Sequence, residues 1–230
     1  MSEFVHLQVK SHYSLRSGLP TPKDIVDAAH KKGLKAVAMT DKNSFFGIIK
    51  FYNYAISKGV KPICGVDFDI ESNLKGLTKG LLLAKNKKGL EKLFSLSTKS
   101  YLQANKGIKI NENEILALKD DIIFILPSDN FSDYKSTDIQ DGKDFVATIE
   151  ALKKAFSSNL YLGVTNYSDG PYDENSSNLI KFCSDKNIHA LALNDVHFIE
   201  QSDYLNHQAK VAINTGTHLR SEMENPSCSK

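Results

Sequence analysis

Tryptophan is absent from this 230-residue chain, and cysteine and methionine occur three times each. Cys64, Cys183 and Cys228 are too few and too scattered for a disulfide framework, and no C-x-x-C pair offers a zinc site. Cys64 and Cys183 are therefore expected as buried thiols. No apolar run approaches the roughly 18 residues of a membrane span, so the expectation is a soluble protein with no membrane partner. Ser2 and Glu3 follow Met1 where a secretory signal would place basic and then apolar residues, which makes the cytoplasm the expected compartment. Three signatures of common enzyme classes are missing as well: G-x-x-x-x-G-K-[ST], G-x-S-x-G, and G-x-G-x-x-G after a strand.

What is present is ordinary in amount and uneven in placement. Hydrophobic residues make up 41% and charged residues 24%, and the length suits one large α/β domain, read here as a single domain over residues 1–230. A net charge of +2 selects no class of partner. Along the chain, however, residues 75–109 hold nine lysines against Glu91 alone, and residues 112–150 hold ten acids against three lysines. Two solvated faces account for this. The sharper alternative places the lysines beside a phosphate backbone and predicts a strong salt dependence of DNA binding.

Short β-rich runs alternate with helical stretches from end to end, the pattern of a parallel α/β fold. The strand candidates are residues 4–9, 35–40, 61–70, 79–84, 121–127, 159–164 and 188–193. Most are apolar throughout, as strands covered on both faces should be. The first helix has Thr21 as N-cap, Pro22 at its first position and Gly33 past its end. Ser44 and Gly59 bracket the second, and further helices are expected over 90–102, 112–117, 144–156, 176–186 and 204–213. Residues 128–143 read as a polar, acidic loop long enough to be an insertion or a degraded element. Seven βα-like units suggest a barrel related to the TIM fold, with chemistry at the C-terminal strand ends. The tail over 222–230 closes no element, which suggests a fragment of a longer chain.

Four ordered segments carry a resemblance: FVHLQVKSHYSLRSG at 4–18, AMTDKNSFFG at 38–47 with Phe51 and Tyr52, KPICGVD at 61–67, and LNDVHF at 193–198. Together they resemble the PHP domain that opens the alpha subunit of bacterial DNA polymerase III, nearly end to end and weakest between 128 and 143. The resemblance implies an α/β fold, a distorted seven-stranded TIM-like barrel. It also implies a parent protein, a nucleotidyltransferase that makes DNA on a template and uses Mg2+ at a polymerase site outside this chain.

Active members of the wider superfamily resemble trinuclear metal hydrolases of phosphate esters, whose metals need a dense set of neutral histidines and carboxylates. In this sequence the H-x-H pair of the opening strand falls at Gln8 and Lys10, and the later acid falls at Ser17. The Thr-Asp-His motif reads Thr40-Asp41-Lys42, the histidine expected near the next strand falls at Lys79, and a family acid falls at Gly163. Asp67, Asp195 and His197 remain, with Asp41 as an acid behind them. An ammonium placed where a divalent cation would sit repels it and supplies its charge. Lys10, Lys42 and Lys79 are therefore expected to meet Asp41, Asp67 and Asp195 in an ion-pair network, with no metal and no cofactor in this domain.

Blander roles suit the other histidines. His6 is out of register with the H-x-H pair and reads as structural, as does His207; His12, His30, His189 and His218 read as surface or capping residues. The paired acids Asp67 and Asp69 resemble a polymerase palm strand, where alternate carboxylates share a face and hold two magnesium ions. The preceding KPICG matches the PHP strand instead, so the palm reading is rejected.

The expected function is a non-catalytic scaffold within the replicative polymerase, packed on the rest of the alpha chain, meeting DNA through the parent protein and docking the proofreading exonuclease subunit. The alternatives are a working PHP phosphoesterase or 3′-5′ exonuclease with a reduced ligand set, and a small-molecule phosphatase of the histidinol-phosphate type.

Overall fold

The structure is a computed structural model and describes residues 4–15, 17–74, 77–103, 107–128, 139–165 and 174–219. The chain divides into two compact units, the first comprising residues 1–64 and 195–230 and the second residues 65–194.

Unit one contains β1 (Gln8–Val9), α1 (Pro22–Lys31), β2 (Ala36–Met39), α2 (Ile48–Ser57) and the first four residues of β3 (Lys61–Glu71). β2 pairs in parallel with that part of β3, from Ala36 opposite Lys61 to Met39 opposite Cys64. Every residue of β2 is buried, which suits its unbroken apolar run. The start of α1 follows its sequence signals: the Thr21 hydroxyl accepts from the Asp24 N–H, Asp24 returns the bond to the Thr21 backbone, and Pro22 occupies the first turn. Gly33 ends the helix at a positive φ of 71°. Ile25, Val26 and Ala29 form the buried stripe of α1.

Unit two holds the rest of β3, then β4 (Lys79–Ala84), α3 (Lys87–Leu102), β5 (Ile110–Asn111), α4 (Glu112–Leu116), β6 (Ile122–Pro127), α5 (Ile139–Phe156), β7 (Leu160–Val164), α6 (Glu174–Asp185) and β8 (His189–Ala192). β4 runs antiparallel to both β3 and β6, while β6, β7 and β8 are parallel to one another and β5 adds in parallel to β3. The expected all-parallel order is thus corrected at β4, whose connection from β3 is too short for a helical crossover. Its core is apolar: Leu81, Leu82, Phe124, Ile125, Leu126 and Leu162 are all fully buried. Gly80 makes room for it, since a Cβ there would lie 2.2 Å from the Phe124 ring.

Each of the seven strand candidates overlaps an observed strand, although the first shrinks to Gln8–Val9 and β3 runs one residue past its predicted end. Among the described residues two were not foreseen, β5 and a second two-residue strand, β9 (Asp195–Val196), which returns the chain to unit one and is followed by α7 (Tyr204–Thr215). α3 starts earlier than expected because Asn86 caps it, its side chain accepting from the Gly89 N–H. The last five residues of the expected 128–143 loop, 139–143, are already helix in α5. Arg16, Lys75, Lys106, residues 129–138, the 222–230 tail and Cys228 fall outside the described residues. Cys64 and Cys183 are buried free thiols, and burial pushes both up to about 11.

The lysine-rich stretch meets acids inside unit two. Lys92 and Lys88 approach Asp121 at 2.6 and 3.7 Å, Lys87 approaches Glu91 at 3.8 Å, and Lys99 pairs with Glu114. The Asp121 carboxyl is held below the usual carboxylate range, first by its hydrogen bond from Lys92. Among the described residues these pairs give the charge segregation a structural use, basic helix against acidic turn.

Candidate functional site

Of the polar residues singled out in the sequence, Gln8, Lys10, Asp41, Asp195 and His197 lie where β1, the end of β2, β9 and α7 meet in unit one. β1 and β9 are parallel, with Gln8 opposite Asp195 and Val9 opposite Val196. The Lys10 N–H donates to the Val196 carbonyl at 2.8 Å, and the Leu19 N–H donates to the His197 carbonyl at 2.9 Å. The intervening loop is thereby closed against β9. It is drawn so tight that a Cβ on Gly18 would sit 2.0 Å from the Ser11 carbonyl oxygen. The Lys210 ammonium donates to the Gly18 carbonyl at 2.5 Å from α7.

Lys10 is 2% exposed. Its ammonium donates to the Thr40 carbonyl at 3.2 Å and stands 3.6 Å from Asp195 Oδ1. Asp195 Oδ2 lies 3.2 Å from His197 Nε2. The His197 ring rests 5.2 Å from that of His207, which is fully buried on α7. Burial pushes the His207 imidazole down to about 4, with electrostatic influence from His197 and Lys210 acting in the same direction, so it is neutral at physiological pH. Gln208, beside it, is also fully buried. Burial lowers the Lys210 ammonium from its ordinary value, and the Asp41 charge opposes that shift.

Asp41 is 1% exposed and holds the loop. Its Oδ1 accepts from the Ser11 N–H and the Ser14 hydroxyl, both at 2.6 Å, and its Oδ2 accepts from the Ser11 hydroxyl at 2.7 Å. Ser14 in turn accepts from the Lys42 N–H at 3.0 Å. Three donors satisfy this buried carboxylate, two of them hydroxyls, so the partners anticipated for Asp41 as lysines are in large part serines. Ser17 sits in the same loop, its N–H donating to the Ser14 carbonyl at 3.0 Å.

Asp67, Lys79 and Gly163 belong to unit two. Asp67 is buried in β3 opposite Leu81, and Lys79 lies opposite Asp69. Residues two apart on a strand share a face, so Lys79 faces Asp69 directly and Asp67 on the diagonal. Gly163 is in β7, where a Cβ would approach Leu193 Cδ2 to 2.7 Å. Leu193 thus fills the space in which an acidic side chain at 163 would begin.

The histidines sort largely as expected. His30, His189 and His218 are exposed, with His189 stacked on Tyr161, while His12 is half-buried and packs its ring on Tyr13. His6 is half-buried against Phe4, and its carbonyl accepts from the Ala38 N–H. Gln208, Lys210, Ser11 and Ser14 were missed as members of the cluster. For Gln208 a signal existed: His207 and Gln208 fall on the same helical stripe as the buried Val211 and Ala212, and polar residues on a buried stripe ask for a reason.

Among the described residues, no three histidine, cysteine, aspartate or glutamate side chains are grouped so as to hold a metal ion. The donor set that does converge includes a buried ammonium, and an ammonium 3.6 Å from Asp195 does not fit a divalent cation there.

Against known families, residues 6–166 match the model of the PHP domain, and the chain belongs to that family. The chain is 32% identical over 230 residues to the DNA polymerase III subunit alpha of Buchnera aphidicola from Schizaphis graminum, and 30% identical over 226 residues to that of Escherichia coli K12. These alignments cover 96% and 95% of this chain and 19% of each relative, so the chain spans about a fifth of their length. Among solved structures, a protein from Bifidobacterium adolescentis assigned as a metal-dependent phosphoesterase superposes with a TM-score of 0.60, covering 91% of this chain and 97% of the other at 12% identity. At that identity the likeness establishes the α/β fold alone. No described helix is long and apolar enough to cross a membrane.

Proposed function

We propose that this chain is the PHP portion of a bacterial DNA polymerase III alpha subunit, catalytically silent in itself, which serves as a scaffold and docks the proofreading exonuclease subunit. Template-directed DNA synthesis, its Mg2+ and the DNA contacts belong to the remainder of such a parent. Support for the parent comes from alignments that take in nearly the whole of this chain against alpha subunits. The observation that carries silence of the site is the buried Lys10 ammonium 3.6 Å from Asp195. Hydrolysis of a phosphate ester needs Lewis-acid cations to activate water and neutralise charge. Here a fixed cation stands against the retained acid and competes for it, while Leu193 crowds the position of another family acid. Asp67, Asp195 and His197, with Asp41 behind them, are then relics kept for structure, and Gln8, Lys10, Ser17, Lys42, Lys79 and Gly163 are the lost positions. As scaffold, the domain would hold an exonuclease near the primer terminus and raise its effective concentration there.

The Asp195–His197 pair at 3.2 Å favours one rival, a phosphoesterase or 3′-5′ exonuclease working on a reduced ligand set. The two readings separate in an assay of phosphate-ester and 3′-terminal DNA hydrolysis with Mn2+ or Zn2+ supplied. The scaffold reading expects no activity that Asp195→Asn or His197→Ala removes. Metal-stimulated hydrolysis abolished by either substitution would install the rival.

A further inference from the structure

Two adjacent residues of α7 bury polar side chains that no neighbouring group meets. His207 and Gln208 are each 0% exposed. Among the described residues, nothing hydrogen-bonds either ring nitrogen of His207 or either amide atom of Gln208. The same holds for His197 Nδ1, whereas His197 Nε2 lies 3.2 Å from Asp195. Buried donors and acceptors without partners are costly and rare, so orphaned atoms on three side chains of one cluster ask for a ligand.

The chemistry of the set selects that ligand. A neutral imidazole, as His207 is, carries one N–H donor and one acceptor nitrogen, and the Gln208 amide carries a donor NH2 and an acceptor oxygen. An anion only accepts, which leaves the His207 acceptor nitrogen and Gln208 Oε1 unmet. A metal cation binds acceptors alone and leaves the donors unmet. Water meets both. The charges close by call for no further ion, since the Lys10 ammonium stands 3.6 Å from Asp195 and Lys210 donates to the Gly18 carbonyl. Distance agrees. The ring centres of His197 and His207 are 5.2 Å apart, and a water making two hydrogen bonds of about 2.8 Å spans up to about 5.6 Å. Successive helix residues turn by about 100°, so Gln208 addresses a different point from His207.

We infer that His207 and Gln208 form an internal water site in unit one, in which one water bridges His207 to His197 Nδ1 and a second is held by the Gln208 amide. A buried water ordinarily satisfies two to four polar groups that the protein leaves unpaired, and it does so nearly as well as a direct hydrogen bond. α7 then packs on β9 partly through solvent, and the polar residues on its buried stripe are the ligands of that solvent.

The test is a crystal structure of the chain at a resolution that shows ordered water, with further crystals soaked in bromide as the anion probe and in manganese as the cation probe. Expected in the wild type are both waters, at about 2.7–3.2 Å from the nitrogen and amide atoms they serve, with no anomalous signal from bromide or manganese in their place. In solution, relaxation dispersion of water counts long-lived internal molecules. Gln208→Met keeps the length of the side chain without its amide and is expected to hold one fewer than the wild type. The inference is overturned by a wild-type structure that lacks either water, by a bromide or manganese peak at the site, or by equal water counts in Gln208→Met and the wild type.

Discussion

The two units bury different things. Unit two fills its interior with Leu81, Leu82, Phe124, Ile125, Leu126 and Leu162 from adjacent strands, all fully buried. In unit one, Gln8, Lys10, Ser11, Ser14, Thr40, Asp41, His207 and Gln208 are each at most 2% exposed. An apolar core gains by area and shape, and it tolerates change in proportion to the volume altered. A polar core gains only while each donor, acceptor and charge keeps its partner, so its members fail one by one and at full cost. Unit one holds Lys10 against Asp195 and uses the Asp41 carboxylate to fix Ser11 and Ser14.

The largest effect is expected where one group satisfies most partners. Asp41→Ala removes three charge-assisted hydrogen bonds and leaves the Ser11 N–H buried without its acceptor, at about 4 kcal/mol in denaturant unfolding. If it costs no more than an exposed alanine substitution, the loop is held by other means. Lys10→Met keeps the volume of the stem but strips Asp195 of its cation and the Thr40 carbonyl of a donor. About 2–3 kcal/mol should be lost, discounted because Asp195 is partly exposed. An unchanged melting temperature would show that the ion pair carries no stability.

The next effect is one of pH. The folded state holds His207 near 4 against an ordinary value of 6.5, so between those values the unfolded chain binds the proton and the folded chain does not. Stability is complete above about pH 6.5 and falls as the pH drops toward 4, by on the order of 2 kcal/mol between pH 7 and 5. His207→Leu should flatten that slope, and an equally steep slope in the variant would assign the protons elsewhere. Smallest is the intrusion into unit two: Gly163→Ala pushes on the movable end of Leu193 and should cost about 1–2 kcal/mol with no dependence on pH.

This contrast also explains what could be read from the sequence. Apart from the two-residue β5, apolar runs locate the unit-two strands to within a residue or two because burial on both faces writes itself into composition, as at LLLA in β4 and IIFILP in β6. Direction does not follow from composition, and β4 runs antiparallel where alternation suggested parallel. In unit one, β1 and β9 are two residues each and carry polar side chains inward, so periodicity is mute and only the ordered motifs pointed there. Those motifs located Lys10, Asp195 and His197 within one cluster. They could not supply Lys210 and Gln208, which arrive from α7 nearly 200 residues after the Lys10 loop, nor the serines as partners of Asp41, because which donor reaches a carboxylate is decided by backbone closure.

We propose that the fixed ammonium of Lys10 beside Asp195 leaves no place for a divalent cation. The most direct test of that proposal is the metal content of the chain purified with zinc and manganese supplied and then passed through gel filtration without chelator. The account predicts far less than one equivalent of either metal in the wild type. A full equivalent of bound zinc or manganese, lost on Asp195→Asn, would contradict it.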